Sequence, residues 1–221
     1  MQIELLRKDL SEDNAETEPL KRARKLLRSW KTVQREQIAD CRVFSVHRQI
    51  SLREHDAIGE THDFYVFKPR DWVNVIAVTP ENEVVLIVQY RHGVENFTLE
   101  IPGGMVDLED DSSAVAGGRE LLEETGYGYD ELIFLGQNHP NPAIQSNVCD
   151  TYLALGARPK TTPRFDSTEE VAIKLVPMNE IESLIRNNTI SHALVVVAFQ
   201  YLHLFILNNP AYEYLNPYRR P

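Results

Sequence analysis

Strand-like and helix-like segments follow one another along this 221-residue chain in an order that restricts its architecture. Short runs with alternating or continuous apolar residues, bounded by turn residues, predict β-strands. They cover 41–54, 62–69, 72–91 (two strands joined by a turn), 97–104, 131–137, 148–157 and 169–177. Helical patterns cover 18–34, 112–125, 178–188 and 191–209, the last with Ser191 as its N-cap. This order predicts an α+β fold in which helices cover the faces of a mixed sheet.

Three segments follow from the same pattern. We expect residues 1–60 to form an arm made of an N-terminal helix and β-strands, residues 61–210 to form the main domain, and residues 211–221, rich in Pro and Tyr, to be an irregular tail. The strands of the arm carry more aromatic surface than a small arm buries alone. We therefore expect a homodimer built through residues from about 40 to 70.

The composition excludes several classes of function. A net charge of −10 argues against a broad nucleic-acid surface, but a bound divalent cation would still allow an anionic substrate. The apolar run 192–207 contains polar residues and is shorter than the roughly 20 residues of a membrane helix. Cys41 and Cys149 match no metal or redox spacing, and the N-terminus shows no secretory signal. We expect a cytoplasmic protein without nucleic-acid or membrane partners, with Cys149 in its core.

The helix predicted at 112–125 is unusual because it combines glycines with clustered acids. One face collects the residues expected to be buried, which are Ala114, Gly117, Gly118, Leu121 and Leu122. Glu120, Glu123 and Glu124 converge on another side, because they lie three and four residues apart. Arg119 can hold Glu123, and Gly126 is expected to end the helix as a left-handed C-cap.

Two interpretations of this acidic face stay open: a solvated surface or a metal site. The acids do not alternate with lysines, and they lie near a helix C-terminus, where the dipole disfavours negative charge. The preceding Pro-Gly-Gly bend and its acids, among them Asp107, Asp110 and Asp111, can bring carbonyl and carboxylate oxygens to the same place. Such oxygens are the ligands of a hard cation such as Mg²⁺, and the metal site is the favoured interpretation.

Residues 103–127 resemble the Nudix box of the Nudix hydrolase family. The residues that match in register are Arg119, Glu120, Leu121, Glu123, Glu124 and Gly126. Two features differ from the pattern. The isolated Glu of the box falls on Asp111 when counted back from Arg119, and the loop is one residue longer when counted forward from Gly104. Either Asp110 or Asp111 therefore takes that position.

The similarity extends from about residue 40 to 207 and is to the ADP-ribose pyrophosphatase branch, which also tends to have a proline near Pro142. It implies an α/β/α Nudix sandwich, an arm that exchanges contacts across a homodimer, and a Mg²⁺-dependent hydrolase that also accepts Mn²⁺. By the same resemblance, the metal ligands are Glu120, Glu124 and the Gly104 carbonyl. Glu123 binds the metal or orients a ligand, and Arg119 is structural.

The resemblance also implies where the other functional residues lie. The general base of this branch often comes from an acidic loop after the later strands, here 166–173, so Glu169 or Glu170 is the candidate and Glu123 the next one. The alternative interpretation is that Glu169 and Glu170 are simply two exposed acids at the start of a strand.

Five further residues are interpreted, and for some of them two interpretations stay open. Arg91 faces the phosphates or ribose, or forms a surface ion pair. Glu100 is a metal ligand or supports one, and Trp72 stacks on a purine or packs in the core. Pro142 shapes a substrate loop, and His192 is interpreted as solvated or satisfied rather than catalytic.

Two functions remain at this level. The first is hydrolysis of ADP-ribose or a related nucleoside diphosphate sugar to a nucleoside monophosphate and a sugar phosphate. The second is a non-catalytic Nudix-fold sensor of the same ligands. The intact set of Glu120, Glu123 and Glu124 favours the enzyme.

Overall fold

The computed structural model describes residues 18–55, 58–165 and 170–218. The chain divides into two compact units. The first comprises residues 1–70 with 141–147, and the second comprises residues 71–140 with 148–221. The strand at 61–69, which is expected in the main domain, instead pairs within the first unit. The boundary between the two units therefore lies after residue 70 rather than after residue 60.

Within its described residues, the first unit is an antiparallel sheet of three strands in the order β1-β2-β3. Its elements are α1 (Glu18–Arg24), β1 (Trp30–Asp40), β2 (Phe44–Arg53) and β3 (Thr61–Pro69). The predicted helix at 18–34 is wrong beyond Arg24. Trp30 instead pairs with Arg53 and lies 5.0 Å from the ring of Phe64, so cross-strand packing overrides the helical spacing of the apolar residues.

The second unit contains the remaining elements. The strands are β4 (Trp72–Val78), β5 (Glu83–Arg91), β6 (Asn96–Glu100), β7 (Gly103–Met105), β8 (Tyr127–Gly128), β9 (Glu131–Asn138), β10 (Cys149–Leu155), β11 (Arg158–Pro159) and β12 (Val171–Pro177). The helices are α2 (Ser113–Thr125), α3 (Ile181–Arg186) and α4 (Ala193–Asn208), with 3-10 turns at Met178–Glu180 and Pro210–Leu215.

A mixed sheet forms the centre of the second unit. In the described part of the chain it runs β12-β5-β4-β10-β9, while β6 pairs with β5 and β7 pairs with β4. Strands β4 and β10 are parallel and their other neighbours are antiparallel. The small pair β8–β11 lies apart from this sheet. The predicted α+β class with a mixed sheet is confirmed.

Helices cover both faces of this sheet. Val75 and Ala77 of β4 pack with Leu121 of α2, whereas Ile76 packs in a cluster with Phe199 of α4. Neighbouring residues of one strand thus enter different cores, which follows from the alternation of side chains along a strand. The unit is therefore the expected sandwich of helix, sheet and helix.

Helix α2 approaches the sheet closely at one of its glycines. A Cβ placed on Gly117 would lie 3.1 Å from methyl groups of both Val73 and Val75. The helix has Ser112 as its N-cap and ends at Gly126, whose φ of 72° gives the predicted left-handed C-cap. The expected buried face is wrong at Leu122, which is 37% exposed.

The C-terminal segments differ from expectation in two places. The N-cap of α4 is His192 rather than Ser191. Residues 210–215, which overlap the tail expected to be irregular, form a 3-10 turn whose Leu215 is buried in the cluster beneath α4. Tyr212 packs against the same cluster, with its ring 5.1 Å from that of Phe205, so tertiary contacts hold this segment against α4.

A buried polar network joins the start of α2 to the sheet. Asp150 is 2% exposed and accepts hydrogen bonds from the Ser113 hydroxyl at 2.5 Å and from the Gln137 amide at 2.7 Å. Ser113 also lies 2.9 Å from the Tyr152 hydroxyl. These contacts fix the helix that carries the clustered glutamates to strand β10.

Both cysteines are free thiols, and they differ in burial. Cys149 is buried as predicted, and burial raises the pKa of its thiol to about 12, whereas Cys41 is exposed. In the described segments, no helix has both the length and the apolar character needed to cross a membrane.

Candidate active site

The bend at Gly103 and Gly104 lies directly against the glutamates of α2. Strand β7 pairs with β4, and this pairing sets Gly104 opposite Val73. The Gly103 N–H donates to Glu124 Oε2 at 2.9 Å. A Cβ placed on Gly104 would lie 2.6 Å from the carboxylate carbon of Glu120. Two carboxylates, one helical turn apart, therefore contact the same bend.

These two glutamates are the least exposed of the cluster. Glu124 is 7% exposed and Glu120 is 16% exposed, whereas Glu123 is 46% exposed. A buried carboxylate needs hydrogen bonds or a cation to offset the cost of desolvation. The burial of Glu124 also explains why Leu122 is turned outward, since the helix directs its acidic side to the bend.

Arg119 connects the helix to the loop before it. Its Nη1 lies 2.9 Å from Glu120 Oε1 and 2.9 Å from Glu123 Oε2, so the predicted contact with Glu123 is present. Its Nη2 donates to the carbonyl of Met105 at 3.0 Å. One guanidinium thus contacts two of the glutamates and the strand that carries the bend.

The structure also distinguishes Asp110 from Asp111. Asp110 accepts from Arg119 Nε at 3.3 Å and from Nη2 at 3.0 Å, and it also accepts from the Asp107 N–H at 2.9 Å. The bonds from Arg119 lower the pKa of Asp110, although burial acts in the opposite direction. Asp111 is exposed. Of these two acids, Asp110 is therefore the one that faces Arg119, whose Nη2 also lies 3.5 Å from Asp107 Oδ2.

The oxygen atoms around the bend are of the type that binds a hard divalent cation. Among residues 18–55, 58–165 and 170–218, no three His, Cys, Asp or Glu side chains already converge at metal-binding distances. The reason is visible in their partners: Glu120 and Glu123 contact Arg119, and Glu124 contacts Gly103. Carboxylate and carbonyl oxygens are nevertheless the donors that Mg²⁺ and Mn²⁺ take, and here they come from two adjoining elements.

A second charged cluster lies three residues before the bend. Glu100 is 3% exposed, and Arg91 donates to it from Nε at 2.9 Å and from Nη2 at 2.8 Å. Thr98 donates at 2.6 Å, and His192 Nδ1 lies 2.9 Å from Glu100 Oε2. Burial alone would raise the pKa of Glu100, but the bonds from Arg91, with His192 and Thr98, hold that pKa well below its usual range. The ion pair of Arg91 is therefore formed with a buried, ionised carboxylate.

The remaining candidates are spread more widely. Trp72 is the first residue of β4, is partly buried, and pairs with Met105 and Cys149. Pro142 is exposed in a turn that belongs to the first unit. Glu170 is exposed immediately before β12, and Glu169 lies outside the described residues.

The sequence did not indicate two of these features. His192 contacts Glu100 from a distant part of the chain, and no local pattern connects the two residues. The choice of Asp110 over Asp111 depends on the course of the loop, which motif counting left ambiguous. Both features depend on tertiary structure.

Comparison with known proteins identifies the same region. The family model described as the NUDIX domain matches residues 68–198, which is more than half of the chain. The chain is 30% identical over 178 residues to a methanol dehydrogenase activator of Bacillus methanolicus, covering 79% of this chain and 92% of the relative. It is 27% identical over 176 residues to an ADP-ribose pyrophosphatase of Bacillus subtilis, with the same two coverages.

Two further matches agree with these. The chain is 25% identical over 126 residues to the ADP compounds hydrolase NudE of Escherichia coli, covering 57% of this chain and 66% of the relative. A crystal structure of an ADP compounds hydrolase superposes with a TM-score of 0.72 at 22% identity, covering 82% of this chain and 96% of the other. At that identity the superposition shows the fold alone.

Proposed function

This chain belongs to the NUDIX family and is a pyrophosphohydrolase, and from that premise we propose that it cleaves the diphosphate of ADP-ribose, or of a related nucleoside diphosphate sugar, in a Mg²⁺-dependent reaction. The products are a nucleoside monophosphate and a sugar phosphate. Support for this choice comes from the relatives named as an ADP-ribose pyrophosphatase and an ADP compounds hydrolase.

The observation that carries the proposal is the contact of two α2 carboxylates with one bend. Glu124 accepts from the Gly103 N–H, and the carboxylate of Glu120 occupies the space beside Gly104 that any larger residue would fill. We assign Glu120 and Glu124, with the Gly104 carbonyl, to hold the cation. Glu123 supports them from its contact with Arg119.

The chemistry requires few groups from the protein. A divalent cation held by Glu120, Glu124 and the Gly104 carbonyl would supply activation of the attacking water and neutralisation of charge on the phosphate oxygens. The water oxygen forms a new bond to one phosphorus, and the bond from that phosphorus to the bridging oxygen breaks. The water proton passes to a carboxylate base, for which Glu169 and Glu170 remain the candidates. Arg91 is assigned to the diphosphate, because its side chain is 45% exposed and its guanidinium is fixed in direction by Glu100.

A coupled phosphate assay tests the proposal. Both phosphates of ADP-ribose are esterified, so an added phosphatase releases inorganic phosphate only after the diphosphate has been cleaved. We expect Mg²⁺-dependent release from ADP-ribose, with GDP-mannose and a dinucleotide as comparison substrates. Binding of ADP-ribose without any release, over the whole panel and with Mg²⁺ or Mn²⁺, would instead support a sensor.

Substitution of Gly104 by alanine is expected to lower kcat/KM by about 10²-fold, the typical cost of displacing a reacting group by about 1 Å. The added Cβ would lie 2.6 Å from the Glu120 carboxylate and displace it. Because the contact is with the end of a flexible side chain, the melting temperature should change little. The matched control is Gly93→Ala, since no heavy atom of the described residues lies within 4 Å of that Cβ. Equal activity of the two variants would contradict the placement of Glu120.

We also propose that the enzyme is a cytoplasmic homodimer. The first unit leaves large apolar side chains uncovered, with Val33, Ile38 and Tyr65 exposed by 49%, 48% and 53%. Strand β1 is an edge of this sheet within the described residues, and an exposed apolar edge is suited to pairing with a second copy. The free thiols of Cys41 and Cys149 agree with a reducing compartment.

The dimer predicts a definite mass in solution. Light scattering at micromolar concentration should give twice the chain mass of 25.4 kDa. Introducing a charge with Ile38→Glu should shift the mass toward that of one chain, because an ionised side chain is costly to bury in an interface. Leu207→Glu, on the exposed side of α4, is the control and should leave the mass unchanged. A single-chain mass for the unmodified protein would refute the dimer.

A further inference from the structure

The cluster around Glu100 combines residues from three elements that are distant in sequence. Arg91 is the last residue of β5, Glu100 is the last residue of β6, and His192 is the N-cap of α4. Glu100 Oε2 lies 2.8 Å from Arg91 Nη2 and 2.9 Å from His192 Nδ1. The other carboxylate oxygen accepts from Arg91 Nε and from the Thr98 hydroxyl. The carboxylate is therefore contacted at both oxygens.

This cluster lies next to the candidate active site. Only the buried residues Ile101 and Pro102 separate Glu100 from Gly103, whose N–H bonds to Glu124. Three residues span at most about 10 Å. The guanidinium of Arg91 is thus held within reach of a diphosphate bound at the bend.

The elements of the cluster differ in burial. Arg91 pairs with Asn96 of β6 but borders the exposed turn 92–95. Helix α4 is anchored by Val195, Phe199 and Leu202, which are at most 1% exposed. His192 precedes this anchored helix and contacts Glu100, so it transmits the position of the helix to the carboxylate.

We propose that His192 is a positioning residue, which fixes Glu100 and through it holds Arg91 toward the diphosphate of the substrate; the proposal rests on the proposed function. A charged side chain that binds substrate gains from being held in its productive orientation before binding, because less conformational entropy is lost on binding. His192 is 38% exposed, and its ring nitrogen Nδ1 lies 2.9 Å from Glu100 Oε2.

A double-mutant cycle tests this role. His192→Leu should raise KM for ADP-ribose by about 10-fold, the lower end of the effect of removing a supporting partner, with kcat changed much less. His192→Asn should recover most of the affinity, since its amide N–H can take the place of Nδ1–H. In an Arg91→Ala background, His192→Leu should cause no further rise in KM, because the effect acts through Arg91. His139→Leu, at an exposed histidine, is the control.

The affinity for α,β-methylene ADP-ribose, measured by calorimetry, separates this proposal from the proposed function. If the unmodified protein binds this analogue and His192→Leu weakens binding about 10-fold, the positioning role holds even where no substrate is cleaved. An unchanged affinity and KM in His192→Leu, or equal losses with Arg91 present and absent, would overturn it. If His192→Leu does not fold, the comparison is made between His192→Asn and His192→Gln. The two amides reach toward Glu100 to different extents, and we expect the asparagine variant to bind the analogue more tightly. Equal binding by the two variants would overturn the proposal.

Discussion

Replacement of Glu124 by glutamine is expected to lower kcat/KM for ADP-ribose by more than about 10²-fold, since loss of an outer partner of a metal ligand already costs about 10–100-fold. Glu124 is 7% exposed and accepts from the Gly103 N–H. The glutamine carbonyl keeps this hydrogen bond but supplies no charge to a cation. Steady-state kinetics over a Mg²⁺ titration measures the effect, and the loss should be largest at limiting Mg²⁺.

The same substitution should leave the fold intact. The free energy of unfolding without metal should change by no more than about 1 kcal/mol, because one neutral hydrogen bond replaces a charged one while a like charge leaves the helix. Glu131→Gln, at an exposed position on β9, is the matched control and should retain full activity. Wild-type turnover of the Glu124 variant at limiting Mg²⁺ would show that the ligand assignment is wrong.

The second large effect concerns the general base. Of Glu169→Gln and Glu170→Gln, one should lose about 10²–10⁴-fold in kcat, the span typical of general acid–base catalysis, with metal affinity little changed. The other should be nearly neutral. Glu170 is exposed immediately before β12, so its substitution removes little packing. Each variant is the control for the other, since both make the same change at neighbouring positions.

Other outcomes of this pair would reassign the base. Two nearly neutral variants would move the base to Glu123, which is 46% exposed beside Arg119. Two equally damaged variants with weakened Mg²⁺ binding would make the loop a donor of metal ligands. A pH–rate profile of the damaged variant supports the assignment if the acidic limb is lost.

Helix α2 shows how far the residue pattern alone could be interpreted. The spacing of the glutamates and the C-cap at Gly126 are local properties of a helix, and the structure contains both. The exposure of Leu122 could not be derived in this way. Which side of a helix faces the sheet depends on how the bend at Gly103 meets Glu124, and that contact joins two separate elements.

The first unit shows the opposite case. Residues 25–34 have apolar spacing that fits a helix, yet β1 begins at Trp30 because β2 offers it a pairing partner and Phe64 of β3 an aromatic contact. Local propensity is worth only tenths of a kcal/mol to about 1 kcal/mol per residue, so tertiary pairing outweighs it.

The family, the mixed sheet and the cluster of glutamates on α2 were predictable from the residue pattern, because they depend on spacing along single elements. The contacts of Asp110 with Arg119 and of His192 with Glu100 were not predictable in this way, because they join side chains from separate segments. Their geometry is set by how the loop folds back and where α4 starts, and neither property is encoded in a local periodicity.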